Sequence, residues 1–472
     1  MLQRRLGLLQ AVSLNMSMMV GIGPFITIPA LLGTMLGPQA MLGWILGGLV
    51  AVCDGMVWSE LAAAFPGSGG TYHFYHAVFG ENCAGRLLKF LFVWQFLFSG
   101  PLEVATGAIG VAQYLGHFFP ALDRPAWSWG ALVHREGGRV IWGQVAAIGI
   151  LGVITALAHR RIAAAGRLMV VLWAGMLLSV AWVMFAGLSH FDATRAFDFP
   201  EWAWRIDRRW GIQLGAALGI AMYDFLGYYQ VCYLGDEVSD PARTLPRSIL
   251  ISTLAISAIY LAMNVGVVGV VPWREAVESR RVVTDLIVRT QGSTAANVVT
   301  GLIVWTAVAS TFAAVLGYSR IPYASAKQGH FFHYFAATHP VGDFPHRSLW
   351  LVAGMAMLAC LADLQTVILA LLTARIPIQF LGQIATVAYC RWRRPDVKLP
   401  FQMWLYPLPA LVALAGWLYV FAASTPRVAM YGLGSVVLGV AAFLVRDAWI
   451  ARESSTLPTE PGGSLASGTP GE

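Results

Sequence analysis

The sequence predicts an all-α integral membrane protein with twelve transmembrane helices, and three observations lead to this fold class. Hydrophobic residues make up 57% of the 472 residues and charged residues only 12%, whereas soluble globular domains are about 45–50% apolar and about 25% charged. The apolar residues form continuous runs, which excludes the alternating pattern of a membrane β-barrel. Many runs reach the roughly 20 residues that an α-helix needs to cross a bilayer.

Reading the chain in order gives twelve candidate spans. The first is long enough to cross the bilayer with an interruption, the third is long enough to tilt, and the ninth is the shortest. The tail at 452–472 is rich in Ser, Thr, Pro, Gly and Glu and is expected to be disordered. The predicted spans are 6–35, 38–63, 84–117, 140–158, 167–189, 210–234, 245–271, 296–319, 348–363, 365–390, 402–423 and 428–448.

The basic residues of the short loops predict the orientation of the chain. If twelve spans alternate, one side collects an arginine-rich set of loops, and the positive-inside rule places that side and both termini in the cytoplasm. The opposite loops, around 190–210 and 272–295, mix arginines with acidic residues. The net charge of +7 is therefore assigned to cytoplasmic loops and not to nucleic-acid binding. The basic residues used are Arg4, Arg5, Arg160, Arg161, Arg167, Arg391, Arg393, Arg394, Lys398, Arg446 and Arg452.

Two of the apolar segments are interrupted. The first contains Gly21-Ile22-Gly23-Pro24 followed by Pro29, and Pro24 both lacks a backbone donor and disfavours helix at Gly23. The sixth carries an acid and a glycine within Tyr223–Tyr228. Irregular backbone at this depth survives where it is buried or lines a cavity. A kinked, packed helix would explain the first interruption alone, but the pair predicts a transporter with inverted repeats.

Four segments carry a resemblance to a known family. They are Gly21–Phe25, Glu60–Tyr72, Asp236–Arg247 and Ser319–Gly329. In this order they resemble the motifs of the amino acid–polyamine–organocation (APC) superfamily of transporters, in its amino acid permease branch. The last two helices agree with that family only in number and hydropathy.

The resemblance implies the LeuT-like fold of two inverted five-helix repeats, at 1–190 and 191–400, plus two peripheral helices at 401–451. It also implies transport of amino acids or related amines. Carried over by position, the backbone N–H groups of the first break would hold a substrate carboxylate, and main-chain carbonyls would take its amino group. Tyr223 matches the aromatic gate of the family. The N–H groups are those of Gly21, Ile22 and Gly23, and the carbonyls are those of Met19, Tyr223 and Leu226.

Four ionisable residues fall well inside predicted spans: Asp54, Glu103, Asp224 and Arg375. A charge at the bilayer centre costs about 2.5–3.5 kcal/mol on the mildest scale, so such residues usually face a cavity or each other. Asp54 and Glu103 resemble acids of the polyamine-carrying branch. Several transporters of the broad family have a small or apolar residue at the position of Asp224, so an acid there departs from the neutral amino acid pattern. These acids either contact a substrate amine or carry a coupling proton, or they form ion pairs with Arg375.

The coupling ion is left between a proton and sodium. Ser310 and Thr311 offer hydroxyl oxygens where sodium-coupled relatives of the family bind their ion, and hard cations prefer oxygen. Such hydroxyls more often bond back to their own helix, so sodium ranks below proton coupling or exchange. The five cysteines are isolated, so neither disulfides nor a metal site are expected, and no cofactor is implied.

The preferred function is a secondary transporter of a small L-amino acid, located in the cell membrane and working by alternating access. A carrier of polyamines or other organic cations is the second hypothesis, favoured by the intramembrane acids. A nutrient sensor on the same scaffold is a remote third, because only a short tail is available for signalling. Motifs of hydrolases, zinc proteases and ATP-driven pumps are missing from the sequence, so an enzyme is not expected.

Overall fold

The computed structural model describes residues 6–128, 139–160, 165–327, 329–339 and 345–456, and the described chain is mostly helical. Arg4, Arg5 and Arg161 of the orientation argument, and residues 457–472 of the tail, lie outside the described residues. The first-half helices are α1 Leu8–Met19, α2 Gly23–Met35, α3 Leu42–Ala64, α4 Thr71–Phe79, α5 Cys83–Leu115, α6 Trp142–Arg160, α7 Ala165–Ser189 and α8 Ala193–Ala196.

The second half continues the helical pattern. A π-helical turn, Ile376–Leu381, joins two of its helices into one rod. Short 3-10 helices lie at Pro38–Met41, Pro120–Asp123, Gln230–Glu237 and His333–Ala336. The α-helices are α9 Arg208–Phe225, α10 Pro241–Val270, α11 Trp273–Glu278, α12 Val282–Lys327, α13 His346–Ala359, α14 Leu364–Arg375, α15 Gly382–Arg393, α16 Leu408–Ala423 and α17 Pro426–Thr456.

Within the described residues, six helices are long and apolar enough to cross a membrane, and a seventh span results if α1 and α2 count as one bent helix. Three shorter apolar helices lie at the predicted fourth, fifth and eleventh spans. The predicted sixth and ninth spans contain α9 and α13, which are not among these apolar helices. The six long segments are Pro38–Ala64, Cys83–Leu115, Pro241–Val270, Val282–Lys327, Leu364–Arg393 and Pro426–Trp449.

Several predicted boundaries were wrong. The sixth span, by contrast, ends its helix at Phe225, at the interruption that the acid-and-glycine segment predicts. The eighth begins at Val282, with a break at Gly292 where φ is +84°. The predicted tail starts inside α17, which continues to Thr456. The all-α expectation also missed an antiparallel strand pair, β1 Pro125–Ser128 and β2 Arg139–Ile141.

The helices on either side of the two breaks, α1, α2 and α9, pack against one another or against α3 and α10. α3 contacts α9, α10 and α16, while α2 contacts α9 and α1 contacts α10. Glycine permits the close approach of α3 to α9, since a Cβ atom at Gly43 would lie 2.9 Å from the backbone of Ala217. Trp44, Phe225 and Tyr260 form an aromatic cluster in this interface. The two interrupted segments are thereby held side by side.

A buried ion pair fixes the end of α3 to α15. Glu60 is 1% exposed and accepts two hydrogen bonds from Arg391, at 2.6 and 2.7 Å, and a third from the Met403 backbone N–H at 2.8 Å. Such bidentate, charge-assisted bonds are among the strongest in proteins. The pair explains why an acid stands in the second resemblance motif, Glu60–Tyr72, at the end of an apolar helix.

Replacing Arg391 by methionine is expected to destabilise the protein by about 3 kcal/mol, because Glu60 would remain buried without its partner. Thermal unfolding of the purified protein in detergent would show this as a midpoint lower by several degrees. Arg394→Met is the matched control, since its partner Asp396 is exposed and such surface pairs contribute about 0–1 kcal/mol. Equal midpoints for the two variants would contradict the assigned role of Glu60.

Candidate functional site

The first helix opens where the glycines and Pro24 predict. α1 ends at Met19, α2 begins at Gly23, and the two are bent by 49°. The N–H of Gly21 donates to the Met19 carbonyl at 3.0 Å. The N–H groups of Ile22 and Gly23 have no hydrogen-bond acceptor in the described part of the chain. They lie at the positive end of the α2 dipole, so this end can bind an anion.

The second interruption lies against the first. α9 ends at Phe225, Leu226 takes an extended ψ of 132°, and Gly227 takes a φ of +114° that favours glycine. A Cβ atom at Gly227 would lie 2.8 Å from the Cβ of Met18 and 3.1 Å from the Met19 nitrogen. The two breaks therefore touch through backbone, and a side chain at residue 227 would separate them.

A cavity of about 590 Å³ lies between the breaks, within the size range of small-molecule sites. It extends along α1 as far as Leu6. Of the acids and hydroxyls that the sequence singled out, Glu103, Ser310 and Thr311 also line it. All seven residues predicted to contact substrate line this cavity: Met19, Gly21, Ile22, Gly23, Tyr223, Asp224 and Leu226.

The three candidate carbonyls differ in how much acceptor capacity they keep. The Met19 carbonyl already accepts from the Tyr260 hydroxyl at 2.7 Å and from Gly21, which uses both of its lone pairs. The Tyr223 carbonyl accepts one hydrogen bond, from the Leu226 N–H at 3.1 Å, and keeps one lone pair for a further donor. Among the described residues, no donor reaches the Leu226 carbonyl. Leu226 and Tyr223 are thus better placed than Met19 to take a substrate amine.

Asp224 lies at the amino end of α2. Its Oδ2 accepts a 2.6 Å hydrogen bond from the Thr27 hydroxyl, one turn into that helix. Its Oδ1 is buried and has no partner in the described structure, and the residue is 2% exposed. A Cβ atom added at Gly23 would lie 2.1 Å from this Oδ1. The carboxylate therefore fills the space that the missing side chain of Gly23 leaves.

Glu103 forms an ion pair with Arg375, the arrangement that the sequence left as the alternative to a substrate contact. The Arg375 Nη2 lies 2.6 Å from the Glu103 Oε2, its Nε donates to Ser99, and its guanidinium lies over the Phe96 ring. The side chain of Glu103 is 20% exposed and that of Arg375 is 3% exposed. A second cavity of about 390 Å³ is lined by both partners, and Glu103 lines the first cavity as well.

Asp54 lies outside both cavities. It is fully buried in α3 and accepts a hydrogen bond from the Tyr228 hydroxyl, just beyond the second break. The geometry gives a substrate amine no direct access to this carboxylate. Asp54 instead ties α3 to the irregular segment after α9.

The hydroxyls of Ser310 and Thr311 both donate to the Ala307 carbonyl of their own helix, at 3.1 and 2.7 Å. Both residues line the cavity. The described residues contain no group of three or more His, Cys, Asp or Glu side chains that could hold a metal ion. The pair thus makes the helix-internal bonds that the sequence gave as its commoner role.

Three polar residues of the site were missed by the sequence reasoning. Thr27 binds Asp224, Thr106 shares a 2.6 Å hydrogen bond with the Tyr223 hydroxyl, and Tyr260 binds the Met19 carbonyl. Each is a single hydroxyl in an apolar helix, so its sequence context does not separate it from the many hydroxyls that bond to their own helix. The two helix breaks are the only sequence signal that could have distinguished the hydroxyls of the site from the others.

Comparison with known proteins places this site in context. The model of the family described as amino acid permease matches residues 6–441. An uncharacterised transporter of Mycobacterium tuberculosis is 30% identical over 372 residues, covering 77% of this chain and 75% of its own. Asc-type amino acid transporter 1 of Mus musculus is 26% identical, and the match covers 95% of this chain and 82% of that transporter. The serine/threonine exchanger SteT of Bacillus subtilis is 23% identical, and the match covers 96% of this chain and 98% of the exchanger.

Proposed function

Since the chain belongs to the amino acid permease family of the APC superfamily and is a multi-pass membrane transporter, we propose that it carries a small L-amino acid by alternating access, as a secondary transporter driven by protons or by exchange. The observation that carries the proposal is the cavity between the two helix breaks. One wall offers free backbone N–H groups and the other a free carbonyl.

A zwitterion is the ligand that these two walls complement. Moving an amino acid out of water requires partners for both of its charges, because an unpaired charge in a low-dielectric site is expensive. The Ile22 and Gly23 N–H groups at the positive end of α2 would take the carboxylate. The carbonyls of Leu226 and Tyr223, at the negative end of α9, would take the ammonium group.

The architecture proposed for this activity is twelve transmembrane helices, the first ten in two inverted repeats. The break after α1 and the break after α9 fall in the first helix of each proposed repeat, which supports this division. With both termini in the cytoplasm, the cavity would open toward the cytoplasm, because Leu6, Leu9 and Gln10 line its outer part. The structure would then correspond to the inward-facing state of the cycle.

Transport of polyamines or other organic cations is the second candidate, favoured by Asp224, which lines the cavity and whose buried Oδ1 has no partner among the described residues. It ranks lower because Arg375 neutralises Glu103 and Asp54 lies outside the cavity. Sodium coupling through Ser310 and Thr311 ranks below proton coupling or exchange, since both hydroxyls are engaged with their own helix.

A competition experiment tests the proposed substrate class. Proteoliposomes preloaded with unlabelled L-amino acids would exchange them for labelled L-serine or L-threonine, and each competitor would be added outside. We expect unlabelled L-amino acids to compete and their methyl esters, which lack the carboxylate charge, to compete at least tenfold less well. Equal competition by ester and acid would contradict a carboxylate site at Ile22 and Gly23.

A further inference from the structure

Asp224 occupies the region in which the proposed substrate carboxylate would bind. Its Oδ1 lies against Gly23 at the start of α2, is buried, and has no partner among the described residues. The Oδ2 is held in place by Thr27 of the same helix. In the substrate-free protein, the positive end of α2 therefore faces a carboxylate that belongs to the chain itself.

A substrate carboxylate bound to the Ile22 and Gly23 N–H groups would lie beside this acid. Two carboxylates that share one buried site do not both stay ionised, because their repulsion raises the proton affinity of one of them. At an effective dielectric constant near 20, the repulsion of two unit charges about 4 Å apart would weaken binding about a thousandfold. One proton between the two groups removes this penalty.

The surroundings of Asp224 supply no other compensating charge. In the described part of the chain, no lysine, arginine or histidine pairs with it, and its titratable neighbours are Tyr223 and Tyr260. The other ionisable side chains on the helices around α9 are engaged elsewhere: Asp54 with Tyr228, Glu60 with Arg391, Glu103 with Arg375 and Tyr419 with the Gly211 carbonyl.

We propose that Asp224 is the coupling site of the transporter and takes up one proton from the cavity water each time a substrate carboxylate binds at Ile22 and Gly23. The proton adds to Oδ1, which then donates a hydrogen bond to the substrate carboxylate, while Oδ2 keeps its bond from Thr27. The proton and the substrate bind together and leave together. This inference rests on the proposed transport of amino acids.

The proposal distinguishes ligands by their carboxylate. A substrate with both charges brings a proton to Asp224, whereas the corresponding amine without a carboxylate binds beside the ionised acid and brings none. Proton uptake on binding is therefore a property of amino acids and not of decarboxylated analogues in this site.

The test is calorimetric titration of the purified protein with L-serine and with ethanolamine, which is L-serine without its carboxylate. Titrations in two buffers of different ionisation enthalpy give the number of protons taken up per ligand. Near neutral pH we expect about one proton per L-serine and none with ethanolamine. Binding of L-serine without proton uptake, or equal uptake with both ligands, would overturn the proposal. If no L-amino acid of a panel binds or exchanges, the proposed function itself fails.

Two variants assign the proton to a residue. Asp224→Asn keeps the shape of the side chain, and we expect it to bind L-serine with no proton uptake and to lose the accumulation that a proton gradient drives. Asp54→Asn, a buried acid outside the cavity, should still take up about one proton. Proton uptake by Asp224→Asn but not by Asp54→Asn would refute the assignment. Accumulation of L-serine against its gradient by Asp224→Asn would refute it as well.

Thr27→Val gives a second route if Asp224→Asn does not fold. It leaves the carboxylate in place and removes a hydrogen bond that stabilises its ionised form. The pH at which L-serine binding falls to half should therefore move to a higher value, since the acid holds its proton more readily. An unchanged midpoint would count against Asp224 as the proton acceptor.

Discussion

Replacing Gly23 by alanine is expected to lower amino acid exchange by at least a hundredfold. The added Cβ would lie 2.1 Å from the Asp224 Oδ1 and 3.1 Å from its Cγ, and Thr27 holds this carboxylate in place. The variant must therefore displace either α2 or the acid, and both belong to the proposed site. The measurement is the initial rate of L-serine exchange in proteoliposomes with equal amounts of reconstituted protein.

Gly21→Ala is the matched control for this experiment. It makes the same change in the same break, but its Cβ would lie 3.9 Å from the nearest atom, the Ser310 Oγ, which is ordinary van der Waals contact. We expect exchange to fall far less than in Gly23→Ala. Similar losses in both variants would show that the break tolerates no side chain at all, and would contradict the specific role given to Gly23.

Replacing Glu103 by glutamine is expected to cost about 3–5 kcal/mol of stability, because Arg375 would remain as a buried charge beside Ser99 and the Phe96 ring, without a carboxylate partner among the described residues. Thermal unfolding in detergent would show this as a large fall in the midpoint. The fall would separate this residue from Asp224, whose loss should change coupling more than stability.

A double-mutant cycle tests the pair directly. Arg375→Met alone should also destabilise, but less strongly, because Glu103 is partly exposed to the cavity water. Glu103→Gln combined with Arg375→Met should be more stable than the sum of the two changes predicts, since neither charge is left unpaired. Strict additivity would mean that the two side chains do not stabilise the fold through each other.

The helix breaks could be predicted from sequence because their causes are local. Pro24 removes a donor wherever the chain places it, and Gly227 permits a φ of +114° by its own chemistry. The same local signals located the cavity, since irregular backbone in a membrane must line one or be buried. The positions of both breaks therefore followed from a few residues.

The pairing of charged side chains could not be predicted in the same way. Glu103 and Arg375 are 272 residues apart and meet only through the packing of α5 against α14. Asp54 lies in a helix that is apolar on nearly all faces, so its sequence does not indicate which face points to the cavity. These contacts depend on helix rotation, which is fixed by tertiary packing.

The most direct test of the proposed function is accumulation of labelled substrates in proteoliposomes under an imposed proton gradient, with a mixture of L-amino acids compared against putrescine and spermidine. A zwitterion site between the breaks predicts accumulation of one or more small L-amino acids, loss of that accumulation in Gly23→Ala, and no accumulation of the polyamines. Accumulation of putrescine or spermidine alone would contradict this account and would make Asp224 a binding partner for substrate amines.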